Sequence, residues 1–330
     1  MLGRWLLLAA AAAAAATRGA AGAGAGAGAG EPVDPASIPS YVISLKRTPR
    51  RFSMFMKSGV VARVLPALTV FDAVDGGTLD PLTDERFSVL ARVNMLRKTR
   101  RSHTDLVTQG MSGLYVSHVE VWKRVVASGA PMAIVLEDDA AIEPDLLERM
   151  RAVLAQLPPP TEWDVWILGC VSVNAHRAAP GLHPLIHEVS EYYGTQAYVV
   201  SRRGAQRLAA AAYPMSVQVD AFMAQASMLG MVRTLWRADG YLDVKQLLWA
   251  GTTVQQLYCD LCDLPHDYNR FTDVATWLLL GAALGLAALR LPTAWLAERL
   301  PCLRGCLLAR CLRRAGSAAA AHKRSGEDAS

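Results

Sequence analysis

Ala133-Ile134-Val135-Leu136-Glu137-Asp138-Asp139 is the stretch whose reading decides the fold. Four apolar residues, two of them β-branched, run directly into three carboxylates. The apolar run predicts a strand starting at Met132 and buried on both faces, as in a parallel or mixed sheet. Open α/β sheets bind ligands at the C-terminal ends of such strands. Side chains alternate along a strand, so Glu137 and Asp139 are expected on one side and Asp138 on the other. Two carboxylates on one side of a rigid strand end can share a hard divalent cation, Mg2+ or Mn2+, which in turn can hold a diphosphate. The plainer alternative is an acidic turn or helix start after a core strand.

The flanking sequence supplies the rest of a sheet. Tyr41-Val42-Ile43-Ser44-Leu45 predicts a first strand, followed at once by the basic turn Lys46-Arg47-Thr48-Pro49-Arg50-Arg51. Cations there can face a phosphate, or form a solvated turn. A helix is expected over 51–58. Val70 to Gly77 predicts a second strand and a turn, in which Asp75 binds a ribose hydroxyl or only fixes the turn. From Asp84 to Thr108 the chain is polar without a clear period, and a helix plus a loop is expected. Leu114, His118, Val121 and Val125 recur at helical spacing between Gly110 and Ser128. His118 on that apolar helix is either a satisfied core residue or part of the chemistry. Downstream, a helix is expected over 144–157, strands over 164–169 and 192–201, and a helix over 204–212. Met215 to Asp220 leads into a further helix, placing Asp220 near its N-terminus, where a carboxylate is favoured electrostatically. The stretch 242–249 completes the domain.

Composition bounds the class. The chain has 330 residues, enough for one large domain with appended segments, and its 52% hydrophobic content is high for a soluble enzyme. The net charge of +5 lies largely in the tail, so nucleic-acid binding is not suggested. Part of the apolar bias is at the N-terminus. Arg4 precedes an uncharged run from Trp5 to Ala16, which reads as a secretory signal peptide within 1–23, or an uncleaved signal anchor. An Ala/Gly/Pro-rich linker over 24–40 leads to the domain at 41–265. Val274 to Leu289 is an uncharged apolar run of sixteen residues, just short of a bilayer span at about 1.5 Å per residue. Extended over 271–291 it reads as a transmembrane helix, or as a soluble hydrophobic helix. The tail at 292–330 is basic, and its Cys302, Cys306 and Cys311 are candidates for palmitoylation. Cys259 and Cys262 read as a local disulfide or free thiols.

Four blocks in order resemble glycosyltransferase family 25, the lipopolysaccharide and procollagen galactosyltransferases. They are Ile43 to Arg51; Ala73-Val74-Asp75-Gly76; Gly113, Ser117, His118 and Trp122 followed by Leu136 to Asp139; and Gly194 to Ser201 with Gly204-Ala205 and then Asp220. The resemblance implies a GT-A-like α/β single domain with a mixed, mainly parallel central sheet flanked by helices. It implies a UDP-sugar donor, usually with Mn2+, and a glycan or glycoprotein acceptor in the endoplasmic reticulum or Golgi lumen. Glu137 and Asp139 would then hold the metal, and Asp138 the donor sugar or ribose. Lys46 and Arg47 would lie near the diphosphate, and Asp75 near the ribose. Asp220 and His118 are the candidate bases. The family's central block commonly reads Gly-Glu-x-Gly-Cys, whereas this chain has Met111 and Leu114 at the Glu and Cys positions. A catalytically reduced or inactive member acting as a lumenal binding or adhesion protein is therefore the alternative. A phosphodiesterase-like metalloenzyme would need a His/Asp cluster that the seven scattered His residues do not supply.

Overall fold

The strand predicted at the acidic stretch is β3 (Met132–Glu137), and the chain turns immediately after Glu137. The structure is a computed structural model that describes residues 33–57, 60–98, 100, 102–242, 244–247, 278–279, 281–282 and 285. Around β3 the chain runs β1 (Ser40–Ser44), α1 (Pro49–Met56), α2 (Val60–Val64), β2 (Leu68–Asp72), α3 (Val89–Arg97) and α4 (Gln109–Ser128). After it come α5 (Leu146–Leu154), β4 (Val165–Gly169), β5 (Ser172–Ala178), β6 (Ile186–Tyr193), β7 (Ala197–Ser201), α6 (Arg202–Ala211), α7 (Val219–Met228) and β8 (Thr234–Arg237).

These strands form one sheet in the order β2-β1-β3-β7-β4-β8-β6-β5. β1 pairs in parallel with β2 and β3, and β4 with β8. The other four pairings, β3–β7, β4–β7, β5–β6 and β6–β8, are antiparallel. The sheet is thus mixed but not mainly parallel, which corrects the sequence expectation. Parallel neighbours need a long crossover, usually a helix. Between β4 and β7 the chain instead folds through β5 and β6 with no intervening helix. The single strand expected over 192–201 is also two strands. Gly194 adopts φ +91°, in the left-handed region, and breaks the run between β6 and β7.

The apolar residues of β3 are buried on both faces, as expected. Ala133 and Val135 join a cluster with Tyr115, Val119 and Trp122 of α4 and with Leu208 and Met223 of α6 and α7. Met132, Ile134 and Leu136 join the opposite cluster with Phe55, Val61, Leu146 and Met150, from α1, α2 and α5. The helix α4 begins where the Thr108 hydroxyl accepts from Met111 N at 3.2 Å and stops at Gly129, φ +74°.

The described residues fall into two compact units, 1–263 and 264–330. In the second, residues 278, 279, 281, 282 and 285 are helical. Among the described residues no helix is long and apolar enough to cross a membrane, so the expected terminal hydrophobic segments gain no support. The signal segment, most of 271–291, the 292–330 tail and Cys259 with Cys262 lie outside the described residues.

Candidate active site

Parallel strands β1 and β3 end side by side, with Ile43 opposite Glu137. Beyond them opens a cleft of about 170 Å³, lined by Arg47, Arg51, Glu137, Asp138, Asp139 and Asp220 among others. Backbone bonds fix its acidic rim. Ala140 N donates to Glu137 O, and the returning chain clasps the turn through Leu247 N to Asp139 O at 2.6 Å.

Because β3 stops at Glu137, strand alternation does not carry through the acidic triplet. Asp138 and Asp139 converge instead of diverging. The Arg51 Nη2 atom lies 2.8 Å from Asp138 Oδ1 and 2.8 Å from Asp139 Oδ2. Ser44 Oγ donates to Asp138 Oδ2 at 2.8 Å, and Gln246 Nε2 donates to Asp139 Oδ2 at 2.9 Å. Glu137 keeps the face of Ala133 and Val135 and points toward α4. There it accepts from Thr195 Oγ1 at 2.7 Å.

Burial sets the electrostatics. It pushes the Asp139 carboxyl up to about 6, helped by the charge of Glu137 and opposed by Arg51 and Gln246. Burial also raises Asp138 against the pull of Arg51 and Ser44, and raises Asp220 against two backbone N–H donors. On Glu137 burial opposes the charge, yet His118, Thr195 and Arg51 together outweigh it and hold the carboxyl below its usual range.

Not every residue singled out in the sequence reaches the cleft. Lys46 is largely exposed and pairs with Asp72 at 2.7 Å. Arg47 lines the cleft and pairs with Asp75 at 2.9 Å. Asp75 also fixes the turn after β2, accepting from Gly77 N at 3.0 Å. Asp220 lies in the first turn of α7 and faces the cleft, accepting from Gly194 N at 3.0 Å and Ala221 N at 2.7 Å.

His118 is fully buried and is not among the residues lining the cleft. A base must come within hydrogen-bond reach of the proton it removes, so this placement argues against His118 as the base. Its environment gives it another task. Trp122 Nε1, which can only donate, reaches the Tyr198 hydroxyl at 2.8 Å. The same hydroxyl is 2.8 Å from His118 Nδ1. The ring tautomer sets which of the two donates, and the other ring nitrogen, Nε2, is buried. That Nε2 lies 3.8 Å from Glu137 Oε1. His118 backs the carboxylate from inside the core.

The Gly-x-x-x-Ser-His-x-x-x-Trp spacing in α4 now has a mechanical account. A Cβ on Gly113 would sit 2.6 Å from both Gly76 N and Val74 O, so only glycine allows this approach. Ser117 Oγ accepts from Val74 N at 2.9 Å. Gly113 and Ser117 dock the turn after β2, while His118 and Trp122 face Tyr198.

Sequence reasoning held Arg51 only as part of the basic turn and Thr195 only as part of a block, and did not single out Gln246. Arg51 had a signal: it lies four residues after Arg47, in the first turn of the helix begun by Pro49. Gln246 had none.

Among the described residues no group of three or more His, Cys, Asp and Glu is placed to hold a metal. The donor chemistry nonetheless suits a hard cation. Asp139 Oδ1 and Gln196 Oε1 are buried oxygens without hydrogen-bond partners among the described residues, and both residues line the cleft. Mg2+-type ions commonly take one or two carboxylates and complete their shell with waters and substrate phosphates.

Residues 37–169 match the sequence model described as "Glycosyltransferase family 25 (LPS biosynthesis protein)". The chain is 33% identical over 177 residues to "Probable inactive glycosyltransferase 25 family member 3" of Rattus norvegicus, covering 52% of this chain and 29% of that protein. It is 30% identical over 110 residues to "Procollagen galactosyltransferase 1" of Danio rerio, covering 32% of this chain and 18% of that protein. It is 24% identical over 189 residues to "Procollagen galactosyltransferase 2" of Homo sapiens, covering 56% of this chain and 29% of that protein. The chain thus spans under a third of the length of these relatives.

Proposed function

We propose, from the premise that residues 37–169 are a glycosyltransferase family 25 segment, that this chain moves a hexose from a UDP-sugar to a hydroxyl of a glycan or glycoprotein. The observation that carries the reading is the gathering of Glu137, Asp138, Asp139, Arg47, Arg51 and Asp220 around one cleft at the ends of β1 and β3. The apolar N-terminal run from Trp5 to Ala16 supports a lumenal, secretory-pathway setting.

In this reading Asp139, with Glu137 beside it, would hold Mn2+ or Mg2+, which when bound neutralises a diphosphate leaving group. Arg47 and Arg51, which also line the cleft, add positive charge. Asp138, held by Ser44 and Arg51, would accept from a donor sugar or ribose hydroxyl. Asp220 is the base. Burial raises its carboxyl, which makes it a better proton acceptor once ionised. The acceptor oxygen bonds to the anomeric carbon, the bond from that carbon to the UDP oxygen breaks, and the acceptor proton passes to Asp220.

The test is a screen of UDP-sugars for Mn2+-dependent hydrolysis and transfer, run beside Asp139→Ala. Turnover in the wild type that disappears in the variant, with the melting transition retained, is the expected result. Unchanged turnover in Asp139→Ala would remove the catalytic assignment.

A second reading has its own support. Met111 and Leu114 line the cleft at positions where the family's central block commonly has Glu and Cys. Relatives from rat and mouse carry the word "inactive" in their names. Saturable UDP-sugar binding without hydrolysis or transfer would favour a lumenal binding protein on a transferase fold.

A further inference from the structure

The acid pair already has a cation, and it belongs to the chain. A single guanidinium nitrogen of Arg51 bonds both Asp138 and Asp139, and the three side chains are only 12%, 7% and 5% exposed. Arg51 is delivered by α1, the helix that leaves the β1 edge of the cleft. Each of the two carboxylates has a second, neutral donor, Ser44 or Gln246. Neither of those supplies compensating charge. Among the described residues, the one positive charge bonded to the pair is therefore shared between two buried anions.

A divalent cation at Asp139 enters against this guanidinium. Both compete for the lone pairs of one carboxylate, and like charges at such separations repel strongly in a water-poor site. We propose that Arg51 and the divalent cation are alternative counter-ions for the Asp138–Asp139 pair. The metal displaces the guanidinium, and the guanidinium then turns to the anion that arrives with the metal, a nucleoside diphosphate. Before loading, Arg51 keeps two acids charged and close together. After loading, it becomes a phosphate contact on the same wall as Arg47. This rests on the transferase reading of the cleft but deepens it, since it orders metal and nucleotide binding through one side chain.

Binding, not turnover, tests it. Mn2+ affinity is measured by the loss of the free-ion paramagnetic resonance signal, at about pH 8 where carboxylates are ionised. Titrations compare the wild type, Arg51→Gln, Arg51→Lys and Asp139→Asn. Arg51→Gln should bind Mn2+ about tenfold tighter than wild type, because the competing charge is gone. Arg51→Lys should fall between the two, since the side chain keeps its charge but has a shorter reach than arginine. Asp139→Asn should abolish binding. UDP affinity in the presence of Mn2+ should fall about tenfold in Arg51→Gln, the lost charge-assisted contact.

Removing Arg51 leaves buried acids without their cation and weakens the fold. A companion measurement therefore follows melting, where Mn2+ should raise the transition of Arg51→Lys more than that of the wild type. Equal or weaker Mn2+ binding by both Arg51 variants, or no Mn2+ binding by any of the proteins, overturns the proposal. Tighter Mn2+ binding with no transfer from any UDP-sugar leaves it standing and removes the transferase reading instead.

Discussion

Asp139 carries opposing demands. Its fold environment favours the protonated acid, since its carboxyl is raised to about 6, while a metal site needs the anion. The folded chain holds its proton more tightly than the unfolded chain, whose Asp titrates near about 3.9. Stability from this group is therefore present at low pH and lost as pH rises from about 4 to about 6. Burial gives Asp138 and Asp220 the same sign. Asp139→Asn should accordingly raise stability above about pH 6.5, by about 1–3 kcal/mol, and flatten the pH dependence between about 4 and 6. Urea unfolding across that range checks it, and a less stable variant at neutral pH would show that the Arg51 contact outweighs burial. His118 poses a separate residue-scale question. With His118→Phe, Glu137 loses a group that favours its charge, so its titration followed by carboxyl NMR should move up. An unmoved Glu137 titration would refute the positioning role of His118.

At the scale of the element, α4 meets the turn after β2 through backbone contact. Gly113→Ala brings two effects into competition. Alanine favours the helix by about 1 kcal/mol over glycine. The added Cβ collides with Gly76 N and Val74 O, which are backbone atoms and cannot rotate away. Overpacking of this kind costs about 1–3 kcal/mol, so the collision should win. A lower urea midpoint is expected, together with weaker nucleotide binding if the proposed donor site is the cleft that Val74 and Gly76 line. A raised midpoint would mean that the turn yields. The sequence made α4 and β3 legible because their apolar periods are long and their ends carry caps or charges. It did not reveal the β5–β6 hairpin. The β5 segment Ser172–Ala178 is polar and largely exposed, so no hydrophobic period marks it. β8 is only four residues long, too short for a pattern.

Across the whole molecule, distant segments are tied by buried charge. Asp164 is fully buried and accepts from Arg203 Nε at 2.8 Å, Arg207 Nη1 at 2.9 Å and Arg233 N at 2.7 Å. It joins the start of β4 to α6 and to the chain leading into β8. In the sequence it read only as the first residue of a strand. Asp164→Asn removes the anion from two guanidinium groups and should lower stability by about 3–5 kcal/mol, discounted toward the low end because both arginines are partly exposed. A melting transition within a degree of wild type would refute this. Sequence alone showed that a two-sided core strand ends in acid, that a basic turn follows the first strand, and that the order of blocks resembles that of family 25. Those are local facts of period, composition and order. Only the tertiary structure decided which cation meets the acids and which way each one faces. Arg51 is 88 positions from Asp139, and Gln246 is 107. No local pattern can encode a bond between side chains that far apart in sequence. The end of β3 at Glu137 depends equally on the strand and the returning segment that hold it.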